Sequence, residues 1–91
     1  MGKFTDAENL HRRLKKITEQ VQAIDRMIDD DAPCEDILSQ ISAAKSALHK
    51  AGQVILEEHI NNCVREGIET GDAEAAIADF ARAVEKFTNM H

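Results

Sequence analysis

The stretch LHRRLKKITEQVQAIDRMI, residues 10–28, decides the fold. Its apolar residues Leu10, Leu14, Ile17, Val21, Ile24 and Ile28 follow one another at alternating spacings of 4 and 3. That alternation places every one of them on a single narrow stripe of an α-helix, the kind of seam that packs in a helical bundle. A half-buried strand would need apolar residues at every second position, and the chain shows no such run. Upstream, Thr5-Asp6-Ala7-Glu8 has the form of a capping box, so a first helix is expected over about residues 6–29. Downstream, Asp29-Asp30-Asp31-Ala32-Pro33 ends it. Pro33 cannot sit inside a helix but suits the first turn of the next one, with Asp31 as the candidate N-cap.

A second seam follows: Ile37, Ile41, Ala44, Leu48, Ala51, Ile55 and then His59, again at spacings of 4 and 3. It predicts a long second helix over about residues 33–66, with Gly52 as its weak point. Gly67 and Gly71 are expected to bracket a turn. Asp72 then caps a third helix over about residues 72–88, whose apolar face is Ile77, Phe80, Val84 and Phe87. The 91 residues thus make one all-α domain, 1–91, of three helices. Three Phe and no Tyr or Trp fill its core, which is thin for one chain and favours oligomerisation.

Charge is unevenly spread. The formal net charge is −6, which by itself argues against nucleic acid as a partner. Yet Arg12, Arg13, Lys15 and Lys16 crowd onto the first helix, and Lys45, His49 and Lys50 form a sparser basic group. No apolar run approaches a membrane span, and the N-terminal residues read as a polar helix start rather than a secretory signal. Two cysteines in such a chain point to reduced thiols in a cytoplasm, and so to metal or redox chemistry rather than a structural disulfide.

Those thiols and one imidazole form the candidate site. His59 and Cys63 are four residues apart on the second helix and share one face. Cys34 is the other cysteine. Two thiolates and an imidazole suit Cu(I) or Zn(II) and suit Mg or Ca poorly. On one unbroken helix, Cys34 and Cys63 would be roughly 40 Å apart. One chain then cannot bring both to one ion, but two antiparallel copies can. Cys34 of one protomer would meet His59 and Cys63 of the other, giving two sites per two-fold dimer.

The same residues carry a family resemblance. Leu14-Lys15-Lys16-Ile17 followed by Gln20, then Arg26-Met27-Ile28, then Cys34 followed by Asp36-Ile37-Leu38-Ser39-Gln40-Ile41-Ser42-Ala43 are among the matching segments. So are Glu57-Glu58-His59-Ile60-Asn61-Asn62-Cys63, Ala75-Ala76-Ile77 and Ala83-Val84. Together they resemble the CsoR/RcnR/FrmR family of small helical bacterial repressors, and most of all its copper sensors. The resemblance implies an antiparallel four-helix-bundle dimer assembled as a dimer of dimers, a homotetramer. It implies an operator-binding apo form that releases DNA when Cu(I) binds Cys34, His59 and Cys63. The family's DNA-contacting cations map onto Arg13, Lys16 and Lys50. Arg12 and Lys15 extend that basic surface. The family's outer carboxylate on the third helix maps onto Asp79, a candidate acceptor for the His59 ring. Two positions depart from the family pattern: Glu19 stands where a Gly is usual, and Pro33 where copper sensors often have Tyr.

Other readings remain. A persulfide or redox sensor of the same fold would use the two thiols and lack the imidazole. A helical module that binds metal or a protein partner without DNA would suit the acidic balance. An enzyme is not expected, because the chain has no nucleophile–base–orienter set and no Gly-rich phosphate loop.

Overall fold

The computed structural model describes residues 6–90, with the side chains of Cys63, Val64 and Ile68 outside the description. Three helices follow one another: α1 (Ala7–Asp29), α2 (Cys34–Thr70) and α3 (Ala73–Thr88). No strand occurs among the described residues. Thr5 of the expected capping box lies outside the described residues; α1 begins at Ala7.

The turn between α1 and α2 differs from the sequence expectation. Ala32 N–H donates to the Met27 carbonyl at 3.0 Å and Asp31 N–H to the Ile28 carbonyl at 3.4 Å. Asp31 itself has φ 53°, in the left-handed region. This is the double hydrogen-bond closure that usually ends on Gly, here made by Asp, whose short polar side chain tolerates that conformation. Asp31 therefore terminates α1 and does not cap α2. The Pro33 carbonyl accepts from Ile37 N–H at 3.2 Å, so Pro33 stands just outside the first turn and Cys34 is the first residue of α2.

The other end of α2 also departs from expectation. The helix runs through Gly67 to Thr70, four residues beyond the expected end, and Gly71 with φ 75° closes it. Gly67 is buried inside the helix because a Cβ there would lie 2.8 Å from the Ala76 Cβ. Its missing side chain permits close approach of α3 and does not signal a turn. Asp72 accepts from Ala75 N–H at 3.4 Å and caps α3.

The chain divides into two compact units. The first, Glu8–Ala51, pairs α1 with the first half of α2. Its seams split into two rows seven residues apart. Leu10, Ile17, Ala44 and Ala51 are buried, with Ile24 and Ile37 half-buried. The alanines let the two helices approach closely. The intervening row is left open: Leu14, Val21 and Ile28 on α1, Ile41 and Leu48 on α2, from 41% to 60% exposed. The second unit, centred on Gly52–His91, pairs the rest of α2 with α3. Phe80, Val84 and Phe87 are half-buried as expected, whereas Ile77 is 66% exposed and faces away from that contact.

Candidate functional site

His59 does not continue the apolar row of α2. It belongs to the face, with Gly52 and Gly67, that packs against α3. A Cβ at Gly52 would stand 3.0 Å from Met90 Cε and 3.7 Å from Phe87 Cδ1, so the C-terminal end of α3 lies directly over that glycine. Between the two glycine contacts, His59 Nε2 is 3.1 Å from Asp79 Oδ2. The other oxygen of Asp79 accepts from Arg82 Nη2 at 3.4 Å, one turn further along α3. Asp79 thus joins α2 to α3 with both oxygens engaged.

That contact selects a tautomer. A neutral imidazole has one N–H, and here the carboxylate places it on Nε2. The lone pair is then on Nδ1, which is the nitrogen able to bind a metal. The His59 side chain is 24% exposed, enough to be reached from outside. Cys34 is a free, exposed thiol at the first position of α2. Cys63 is in α2, one turn beyond His59, with its side chain outside the described residues. Among the described residues, no group of three or more His, Cys, Asp and Glu converges as a metal site. The helix between Cys34 and Cys63 is unbroken at Gly52, the continuity on which a site shared between two protomers depends.

The basic residues have their own geometry. Arg13, Lys16 and Lys50 line one cleft of about 510 Å³, together with Glu19, Gln20, Ile17, Ala23 and Ala47. All of them lie in the unit formed by α1 and the first half of α2. Arg13 Nε donates to Asn9 Oδ1 at 2.8 Å, which steadies the guanidinium by one nitrogen. Arg12 and Lys15 are exposed on α1 but do not line the cleft. The sequence reading missed Arg82 as a second partner of Asp79 and Asn9 as the brace of Arg13. Both are visible as helical pairs three and four residues apart, once a reason exists to look for partners.

Residues 6–87 match the family of metal-sensitive transcriptional repressors, and the chain belongs to that family. It is 39% identical over 83 residues to a copper-sensing transcriptional repressor, CsoR, of Bacillus subtilis (strain 168), covering 91% of this chain and 82% of that protein. The fold is similar to that of the copper-sensing repressor CsoR with Cu(I) from Geobacillus thermodenitrificans NG80-2. The TM-score is 0.83 with 37% identity, covering 92% of this chain and 88% of that one. It is also similar to the nickel-responsive transcriptional regulator InrS, at TM-score 0.82 and 28% identity over 88% of this chain and 90% of that one.

Proposed function

We propose that this chain is a copper(I)-responsive transcriptional repressor, which holds operator DNA when metal-free and releases it when Cu(I) binds Cys34, His59 and Cys63. The observation that carries this reading is the His59–Asp79 contact at 3.1 Å. It leaves Nδ1 as a donor beside the thiol position four residues on, and it ties that donor to α3. The donor set fits a soft ion of low coordination number. Both Asp79 oxygens are engaged by His59 and Arg82, so the carboxylate serves as partner to the imidazole and not as the fourth ligand that Zn(II) would want.

Metal bound at Nδ1 would strengthen the Nε2–H donor and fix the ring. His59 then holds Asp79, and Asp79 holds α3, in one orientation. In the metal-free chain the same contact is made by a ring that no metal fixes. The difference between the two states is what DNA senses, and the coupling is reciprocal. The cleft cations Arg13, Lys16 and Lys50, with Arg12 and Lys15 beside them, serve as phosphate contacts, a role that fits their clustering on one unit.

The functional form is an antiparallel dimer, assembled as a dimer of dimers. The open row Leu14, Val21, Ile28, Ile41 and Leu48 supports it, because a partner copy would cover these side chains. The protein works in the cytoplasm, where its thiols stay reduced, and it has no enzymatic role. No helix among the described residues is long and apolar enough to cross a membrane.

Anaerobic Cu(I) titration under a competing chelator tests the ligand set. Cys34→Ala and Cys63→Ala should each lower the affinity strongly. An affinity that survives loss of both thiols would refute the site. The exposed Cys34 thiol favours one second reading, a persulfide or redox sensor. In that case sulfane sulfur, and not Cu(I), would release DNA, and His59→Ala would respond as the parent does.

A further inference from the structure

The carboxylate of Glu19 shares a cleft with Arg13, Lys16 and Lys50, and it is the one acidic group among the lining residues. A polyanion entering that cleft meets three charges that attract it and one that repels it. Phosphodiester oxygens are acceptors only, so they offer Glu19 no hydrogen, and against phosphate alone the carboxylate weakens binding to every duplex alike. Base edges differ. The exocyclic amino group of cytosine, N4, donates in the major groove, and a Glu carboxylate is a fitting acceptor for it.

Position on the helix supports a base-facing role. Arg13, Lys16, Gln20 and Ala23 recur at spacings of three and four, so they form one face of α1, and Glu19 stands at its edge next to Gln20. Arg13 is braced by Asn9 through Nε. Its remaining nitrogens, with the Lys16 and Lys50 ammonium groups, can hold the backbone while the edge of α1 meets the bases. We propose that Glu19 is a specificity-determining residue. It penalises DNA in general and is relieved only where a base presents an amino donor, cytosine N4 in particular. This rests on the reading of the cleft as the DNA-binding face.

The test uses the full-length protein and its Glu19→Gln and Glu19→Ala variants. Glu19 is exposed on α1, so helix content by circular dichroism should match the parent. Each protein is titrated against two duplexes of equal length. One is selected by the parent from a randomised pool; the other has random sequence. Both variants should bind the random duplex more tightly, while the ratio of selected to random affinity falls by about fivefold or more. Replacing one cytosine of the selected duplex by thymine should weaken the parent and leave Glu19→Ala unaffected. Equal tightening on both duplexes would overturn the proposal and make Glu19 a general charge brake. Unchanged binding to both would place Glu19 away from the DNA and also overturn it. Lys16→Ala, run alongside, separates the premise. If it binds as the parent does, or the parent binds neither duplex, the DNA reading of the cleft fails and the proposal fails with it.

Discussion

In the proposed function His59 is both ligand and lever. Its Nε2 faces Asp79 at 3.1 Å, and Arg82 holds the far oxygen of the same carboxylate. Removing the imidazole takes away one donor but leaves two thiolates, and thiolates are the stronger ligands for a soft ion. His59→Ala should therefore retain much of the Cu(I) affinity and lose the response. In coupled systems an effector typically changes affinity by about 5- to 150-fold, and in this variant the factor should approach one. Asp79→Ala should do the same while leaving all three ligands in place. Comparing DNA affinity with and without Cu(I) for parent and variants reads this directly. A variant that still releases DNA like the parent would assign the coupling elsewhere.

The two internal glycines of α2 look alike in sequence and behave differently in the fold. A Cβ at Gly67 would meet the Ala76 Cβ at 2.8 Å, and two rigid helices must move apart to admit it. Gly67→Ala should destabilise the protein by roughly 1–3 kcal/mol, as overpacking does. At Gly52 the nearest atom is Met90 Cε at 3.0 Å, the end of a flexible side chain that can yield. There the gain in helix propensity, up to about 1 kcal/mol, should offset the contact, and Gly52→Ala should be near neutral. Denaturant midpoints of the two variants check the contrast; equal losses would contradict it. The same pair shows what a sequence does and does not disclose. Both long seams were legible because 4 and 3 spacing has one structural meaning, and the Cys34, His59 and Cys63 set was conspicuous because its residue types are scarce. Gly67 was misread as a turn because its role is set by Ala76, nine residues on and across a bend. Asp31 was misread as a cap because the left-handed closure of α1 usually announces itself with Gly. His59 was assigned to the apolar row because spacing alone does not say which helix a face will meet.

Half of each seam is buried within the chain, and the other half is exposed, the surface proposed to meet a partner copy. Leu14, Val21 and Ile28 recur at seven-residue intervals and are 41–60% exposed. A Val21→Asp substitution would place a charge in the proposed interface while barely touching the single chain, since Val21 is 52% exposed there. It should convert the assembly to monomer in analytical ultracentrifugation, and Cu(I) affinity should fall with it, because Cys34 and Cys63 would no longer be brought together. A variant that stays assembled would mean that another surface joins the copies. Metal, assembly and DNA meet in one measurement: Cu(I) titrated anaerobically into the protein bound to a duplex from its own upstream region, followed by fluorescence anisotropy. The DNA should be bound before addition and released as Cu(I) reaches about one per protomer, in line with two shared sites per dimer. DNA that remains bound through excess Cu(I), or that was never bound by the metal-free protein, would contradict it.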